Sequence, residues 1–252
     1  MRIDPAPPCS GLTIRSGGRA VPLTIEHIIE RPSCSVIDTG DCEIAVVEHL
    51  LAALWAAGID TAAISIDGPE VPNDDGSSLP LYAAIANAGR IQAGSRPELL
   101  LRDTVRVEEN GSYLQLEPAG TLSVDYSFSH AELGEQQYVA VLTRAMAASE
   151  ILPSRSFITD SEAAAAVEAG LLHNDNQDDA LVLHVVAGEV QPASPLRFPD
   201  EFARHKVLDL LGDLYLAPFE WTGRVTAYRS GHRLNRALAR ELVKKAFSGG
   251  GF

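Results

Sequence analysis

The amino-acid sequence predicts an α+β fold made of two similar halves, each a small sheet covered by helices, with a metal site between them. Two helical patterns, at residues 47–58 and 202–216, support this because each carries a histidine and a carboxylate in an otherwise apolar helix. Short runs of β-forming residues surround both helices. The stretch 90–98 contains Gly, Ser and Pro and is the best boundary. We therefore expect one domain at residues 1–93 and a second at residues 94–252.

Composition limits the classes of function. The chain has 252 residues, enough for a substantial core, and 46% apolar and 21% charged residues are ordinary for a soluble globular protein. A formal net charge of −14 disfavours nucleic acid or an anionic membrane as partner, although local arginines can still bind a small anion. The apolar runs are too short to span a membrane, and no signal segment opens the chain. Three cysteines without a C-x-x-C spacing fit a reducing cytosol. We expect a cytoplasmic monomer without stable membrane insertion.

In the first half, the opening 45 residues are rich in Pro, Gly and short β-type runs, which predicts an antiparallel sheet. Gly58 and Gly89 stand where helices commonly end. The predicted elements are strands at 11–14, 23–25, 35–37 and 62–67, helices at 47–58 and about 80–88, and an acidic loop at 68–78.

The second half begins with a meander, because Asn110-Gly111 is a strong hairpin turn between two β-type runs. Its last strand delivers the segment Ser230-Gly231-His232 on a loop, before a closing amphipathic helix. The predicted elements are strands at 99–108, 113–116, 121–129, 137–142, 180–186 and 224–228, helices at 159–169, 202–216 and 234–247, and a polar stretch at 174–179.

His205 and Asp209 are four residues apart on one helix, so they lie on the same face and can bind one divalent metal ion from the same side. A solvated pair on an amphipathic helix is the alternative for any isolated motif of this kind. The second histidine-bearing helix changes that balance, because His49 aligns with His205 when the two helices are superimposed by sequence. His49, His205 and Asp209 would leave one tetrahedral position of Zn²⁺ for water, which is typical of a catalytic site.

Five segments then match one family in order over nearly the whole chain: VEHLLAAL at 47–54, PEVP at 69–72 with DGS at 75–77, SRSF at 154–157, RHK at 204–206 continuing to DLYL at 213–216, and SGHRLN at 230–235. With these segments the chain resembles the zinc-dependent UDP-3-O-acyl-N-acetylglucosamine deacetylases of lipid A synthesis. The resemblance implies a small-molecule substrate, a UDP-linked acylated amino sugar. It also implies that the acidic loop at 68–78 lies beside the active site, although a plain acidic turn is equally compatible with these residues.

The same residues suggest an acid–base division of labour. Glu48 adjoins the ligand His49, so its carboxylate can take a proton from the attacking water. His232 can stabilise the oxyanion and protonate the leaving amine, and Asp213 can keep it charged. The resemblance further implies that Lys206 and Ser156 line the site, Lys206 as a cation and Ser156 as an oxyanion donor where the family usually has Thr.

Three residues are candidates for substrate binding: Phe157, which completes the SRSF motif, and Arg229 and Arg233, which with Arg236 would form a basic patch near His232. A solvated basic helix face is an equal alternative for the arginines. The resemblance also implies a hydrophobic acyl passage between the SRSF motif and the second metal helix.

Two features depart from the family. The chain begins after the family's first strand and histidine-bearing turn, as a divergent or N-terminally shortened member would. In addition, Asn174-Asp175-Asn176 replaces a usual glycine-rich turn.

We therefore expect a zinc-dependent amidohydrolase that removes acetate from UDP-3-O-acyl-N-acetylglucosamine. Two alternatives remain: a deacetylase of another N-acetylated sugar, and a non-catalytic binding homologue. The full set of Glu48, His49, His205, Asp209 and His232 disfavours the second, because a binder needs no catalytic groups. The absence of an H-E-x-x-H motif disfavours a zinc peptidase.

Overall fold

The computed structural model describes residues 1–31, 33–92, 94, 96–168, 180–187 and 189–248, and it confirms the α+β class. Six helices are present in these ranges: α1 Val47–Ala57, α2 Leu79–Ala88, α3 Arg144–Met146, α4 Asp160–Glu168, α5 Glu201–Leu214 and α6 His232–Ser248. Short turns of 3-10 helix (Ile25–His27) and π-helix (Ala147–Ile151) accompany them. Among the described residues, no helix has both the length and the apolar character needed to cross a bilayer.

The described strands form two larger sheets and three small ones. They are β1 Arg2–Asp4, β2 Leu12–Ser16, β3 Val21–Pro22, β4 Ile28–Ile29, β5 Val36–Asp38, β6 Glu43–Ile44, β7 Ala62–Ile66, β8 Glu98–Leu99, β9 Val105–Glu109, β10 Ser112–Glu117, β11 Ser123–His130, β12 Gly134–Val141, β13 Phe157–Thr159, β14 Leu181–Val186, β15 Glu189–Pro192, β16 Glu220–Trp221 and β17 Arg224–Tyr228.

The first sheet has the strand order β1-β7-β2-β3 and is mixed. Strand β7 enters between β1 and β2 and runs antiparallel to β1 but parallel to β2. The prediction of a purely antiparallel sheet from the first 45 residues is therefore wrong, because a strand from beyond α1 completes the sheet. The predicted strand at 23–25 is also wrong. Leu23 and Ile25 are buried, but Ile25–His27 is a 3-10 turn that brings the chain back over the sheet.

The second sheet has the order β12-β11-β17-β10-β9. The predicted hairpin is confirmed: Asn110 and Gly111 have φ of 49° and 77°, the left-handed pair that a type I′ turn requires. The single strand predicted at 99–108 is wrong, because β8 pairs with β16 and only β9 pairs with β10. Strand β17 lies centrally, between parallel β11 and antiparallel β10, and leads directly to His232.

A smaller β-α-β unit lies between the second sheet and α5. Strands β13 and β14 are parallel and are connected through α4, with β15 antiparallel to β14. The predicted helix at 159–169 is observed as Asp160–Glu168. The polar stretch predicted at 174–179 and the departure at residues 174–176 lie outside the described residues.

The two histidine-bearing helices pack directly against each other. Helix α1 ends at Gly58, whose φ of 70° is the expected left-handed C-terminal conformation. Helix α5 approaches α1 at Gly212, where a Cβ atom would lie 2.8 Å from the carbonyl carbon of Glu48 and closer still to its oxygen. The absence of a side chain at Gly212 therefore lets the two backbones touch beside Glu48.

One hydrophobic core runs through both halves of the chain. It includes Ile14 of the first sheet, Leu51 of α1, Leu208 of α5 and Leu114 of the second sheet, all fully buried. The division into domains 1–93 and 94–252 stays a prediction.

We expect Gly212→Ala to lower the free energy of unfolding by about 3 kcal/mol, the upper range for overpacking, because the new methyl group meets backbone atoms of α1. The sign is diagnostic, since Gly→Ala inside a helix ordinarily stabilises by about 1 kcal/mol. Urea unfolding measures the difference. Gly120→Ala is the matched control, because a Cβ there meets open space. A Gly212→Ala variant as stable as the unaltered protein would contradict the close contact.

Candidate metal centre and catalytic residues

The structure brings His49, His205 and Asp209 together at the contact between α1 and α5. His205 Nε2 lies 3.4 Å and His49 Nε2 4.0 Å from Asp209 Oδ1. One ligand atom from each of the three lies within 4.8 Å of the others. Tetrahedral ligands about 2.0 Å from Zn²⁺ stand roughly 3.3 Å apart, so the spacing is close to that of a bound site.

Two observations test whether a metal ion fits. Asp209 Oδ1 is buried and accepts no hydrogen bond among the described residues, although a buried carboxylate oxygen without a partner is costly. His205 Nδ1 lies 3.3 Å from the carbonyl oxygen of Ser154, so it acts as the N–H donor and leaves the Nε2 lone pair facing Asp209. Burial lowers the pKa of His205 to about 3, which keeps the imidazole neutral as a ligand must be. The two nitrogens and one oxygen fit Zn²⁺.

A buried ion pair positions the Ser154 carbonyl. The Arg155 guanidinium donates to both carboxylate oxygens of Glu201, Nε to Oε1 at 2.9 Å and Nη2 to Oε2 at 3.1 Å. Glu201 is the first residue of α5, so this bidentate pair ties the segment before β13 to the helix that carries His205.

Lys206 occupies the second oxygen of Asp209. Its Nζ lies 3.0 Å from Oδ2, which leaves Oδ1 for the metal. Burial would lower the pKa of Lys206, but Asp209 raises it above its usual range, so the side chain stays cationic. Burial would raise the pKa of Asp209, but His205 and Lys206 hold it well below its usual range.

Glu48 and His232 face each other beside Asp209. His232 Nε2 lies 3.8 Å from Glu48 Oε1 and 3.7 Å from Asp209 Oδ2. Glu48 Oε2 accepts a hydrogen bond of 3.0 Å from the backbone N–H of Ser35. Burial raises the pKa of Glu48 to about 7, and the neighbouring His232 opposes that rise.

His232 is the first residue of α6 and is only 5% exposed, so its predicted place on an exposed loop is wrong. Its Nδ1 lies 3.0 Å from Asp213 Oδ2, which also accepts a hydrogen bond from Asn235 Nδ2 at 3.0 Å. Burial alone would lower the pKa of His232, but Asp209, Asp213 and Glu48 together raise it to about 9. The imidazole is therefore a stable cation at neutral pH.

Phe157 lies beside the metal ligands. Its ring centroid is 5.8 Å from that of His205, and Lys206 Nζ lies 5.4 Å from the ring. Phe157 also packs against Phe128 and Phe202, at centroid distances of 5.7 and 4.8 Å. This aromatic cluster forms an apolar wall next to the site.

In the described part of the chain, no hydrogen bond or ion pair joins the candidate metal ligands to the three remaining predicted residues, Ser156, Arg229 and Arg233. Ser156 is half-buried, and its backbone N–H donates to the Gly76 carbonyl, which puts the 68–78 loop beside it. Arg233 pairs with Glu109 at 2.7 Å on the outer side of α6. Arg229 is exposed and has a φ of 51°. Ser156 as oxyanion donor and Arg229 and Arg233 as substrate-binding residues stay predictions.

Arg236 belongs neither to a solvated face nor to an exposed patch. It is 1% exposed and donates to Glu30, Arg31, Cys34 and Ser35. Sequence reasoning missed this role, and it placed Ser35 only as the first residue of the strand predicted at 35–37, since a lone serine carries no functional signal. Asn235 was within reach, because it ends the SGHRLN motif one helical turn after His232.

The sequence of this chain matches one family of known proteins over nearly its whole length. The family model described as LpxC, UDP-3-O-acyl N-acetylglycosamine deacetylase, matches residues 1–244. A protein of Anaeromyxobacter sp. (strain Fw109-5) is 34% identical over 96% of this chain and 81% of its own length. One from Geobacter sp. (strain M21) is 33% identical over 97% and 82%, and one from Shewanella sp. (strain W3-18-1) is 34% identical over 96% and 82%. All three are named UDP-3-O-acyl-N-acetylglucosamine deacetylase.

We expect the purified chain to bind about one Zn²⁺, and His205→Ala or Asp209→Ala to weaken binding by at least about 100-fold, because each removes one of three ligands. Calorimetric titration of metal-free protein measures this.

His184→Ala is the matched control, since His184 is a half-exposed histidine whose partner is Asp160, away from α5. Unchanged zinc affinity in both ligand variants would show that the metal site is elsewhere.

Proposed function

The chain belongs to the UDP-3-O-acyl N-acetylglycosamine deacetylase family, and on that premise we propose that it is a zinc-dependent enzyme that removes acetate from UDP-3-O-acyl-N-acetylglucosamine in lipid A biosynthesis. The main support for the proposal is that Glu48 Oε1 and His232 Nε2 lie 3.8 Å apart, beside the three candidate ligands. A site of this kind combines metal ligands, a base and an acid, which amide hydrolysis requires.

His49, His205 and Asp209 would hold the metal ion. Zinc, when bound, supplies Lewis-acid chemistry, polarising a carbonyl group and making water more acidic. Lys206 keeps Asp209 Oδ2 engaged, so that Asp209 offers a single oxygen.

Glu48 is the proposed general base. The Ser35 N–H fixes Oε2 and leaves Oε1 directed at His232 and the ligand side of the site. With a pKa raised by burial to about 7, the carboxylate is a stronger base than a solvated glutamate. It takes one proton from the water whose oxygen attacks the acetyl carbonyl carbon.

His232 is the proposed general acid. Asp213 holds Nδ1, so the Nε2–H points at the space shared by Glu48 and Asp209. The imidazolium first stabilises the negative charge that develops on the carbonyl oxygen. It then gives its proton to the sugar nitrogen as the C–N bond breaks, which releases acetic acid and a free amine. The proton that Glu48 took from water then passes to the neutral His232, which restores the carboxylate and the imidazolium.

The aromatic cluster supports an acylated substrate. Phe157, Phe128 and Phe202 offer an apolar surface directly beside His205, where the 3-O-acyl chain of the sugar can lie when its 2-acetamido group reaches the metal. We extend the proposal to Ser156, Arg229 and Arg233 as substrate contacts, and to a monomeric, cytoplasmic enzyme.

Glu48→Gln keeps the shape and hydrogen bonding of Glu48 but cannot accept a proton. We expect it to lose on the order of 100-fold or more in kcat, and His232→Ala to lose a similar factor, while both retain zinc. Acetate release from UDP-3-O-acyl-N-acetylglucosamine, with zinc analysis of the same samples, is the measurement.

Glu241→Gln is the control, because the ion pair of Glu241 among the described residues is with exposed Lys244 on the same helix, α6. If Glu48→Gln turned over at the rate of the unaltered enzyme, the assignment of the base would be wrong.

Comparing kcat/KM for acylated and non-acylated substrates tests whether the aromatic cluster binds the acyl chain. Each buried methylene group of the acyl chain should favour the acylated substrate by at most about 0.8 kcal/mol. We expect Phe157→Ala to lower kcat/KM for the acylated substrate and to leave the low value for UDP-N-acetylglucosamine nearly unchanged. Equal kcat/KM for the two substrates in the unaltered enzyme would instead favour another N-acetylated sugar.

A further inference from the structure

Ser35 is a fully buried residue that touches all three helices of the site. Its N–H donates to Glu48 Oε2 at 3.0 Å, and its carbonyl oxygen accepts from Val47 N, in the first turn of α1, at 3.2 Å. Its hydroxyl group is hydrogen-bonded to Asp213 Oδ1 on α5 and lies 3.1 Å from Arg236 Nη1 on α6. Every polar atom of Ser35 therefore makes a hydrogen bond. These bonds link Glu48, the proposed base, to Asp213, the carboxylate that holds the proposed acid His232.

The direction of the hydroxyl hydrogen bonds follows from their partners. A guanidinium group only donates, so Ser35 Oγ accepts from Arg236. A carboxylate oxygen accepts, so the single hydroxyl hydrogen of Ser35 goes to Asp213 Oδ1. Asp213 Oδ2 remains for His232 and Asn235. The rotation of the Asp213 carboxylate is thus fixed from both oxygens, and with it the ring of His232.

We propose that Ser35 is a positioning residue of the deacetylation reaction, which sets Glu48 and His232 at their working separation by holding Glu48 through its backbone and Asp213 through its hydroxyl group. The inference rests on the proposed function above. Among the described residues the hydrogen bonds of Ser35 go to none of the candidate ligands, so it acts through Asp213 and Glu48. Arg236 supports it by tying Glu30 and the Arg31 carbonyl to α6.

Ser35→Ala separates the two links, because it removes the hydroxyl group and keeps the N–H bond to Glu48. We expect kcat to fall on the order of 10-fold, as for loss of a hydrogen bond to a buried charged group. KM should stay within about twofold and zinc content unchanged, since no ligand bonds to Ser35. Ser35→Thr restores the hydroxyl group and should recover most of kcat. Ser33→Ala, at an exposed serine of the same loop, is the control.

A second readout does not depend on turnover. In ¹H–¹⁵N spectra of the zinc-loaded protein, the ring resonances of His232, identified by their loss in His232→Gln, should shift in Ser35→Ala and not in Ser33→Ala. If Ser35→Ala does not fold, Ser35→Cys replaces it, since a thiol has similar volume but is a weak donor.

The outcomes are distinct. An unchanged kcat, or a fall in kcat that accompanies loss of zinc, would overturn the role of Ser35, and so would unshifted His232 resonances. If the unaltered chain released no acetate, the proposed function would fail, and the His232 resonances alone would then decide whether Ser35 fixes the Asp213–His232 pair.

Discussion

The backbone contact between α1 and α5 is the constraint on which the rest of the site depends. Gly212 allows the two helices to approach until a Cβ atom would have no room beside the Glu48 carbonyl. At that separation a histidine on α1 reaches an aspartate on α5, and a glutamate on α1 faces the start of α6. A wider crossing would leave His49 too far from Asp209 to share a metal ion. Gly212 therefore sets the distance between the two helices, although it has no side chain that could bind a metal ion or carry a proton.

The second feature is how many ionisable groups the contact buries. Glu48, His49, His205, Asp209, Asp213 and His232 are all at most 5% exposed. Each buried charge costs several kcal/mol unless it is paired and hydrogen-bonded. The protein meets this cost with Lys206 beside Asp209, and with Ser35, Asn235 and His232 around Asp213. Asp209 Oδ1 accepts no hydrogen bond among the described residues, and a cation in front of it would complete the compensation.

Local patterns in the sequence were sufficient to place the His205–Asp209 pair of α5, but not His232, which begins α6 rather than lying on a loop. The i,i+4 relation fixes His205 and Asp209 on one face whatever the fold, and Asn110-Gly111 fixes its hairpin for the same local reason. Tertiary pairing decides the rest. Strand β7 enters the first sheet from beyond α1, and β8 pairs with β16 rather than continuing into β9. Ser35 and buried Arg236 were not predictable, because their partners lie up to 206 residues away in the chain.

We propose that His49, His205 and Asp209 bind one zinc ion at the contact of α1 and α5. Anomalous diffraction at the zinc absorption edge, from crystals of the zinc-loaded protein, tests this most directly. We expect one strong peak about 2.0–2.2 Å from His49 Nε2, His205 Nε2 and Asp209 Oδ1. A main peak elsewhere, such as one coordinated by a cysteine sulfur at about 2.3 Å, would contradict it.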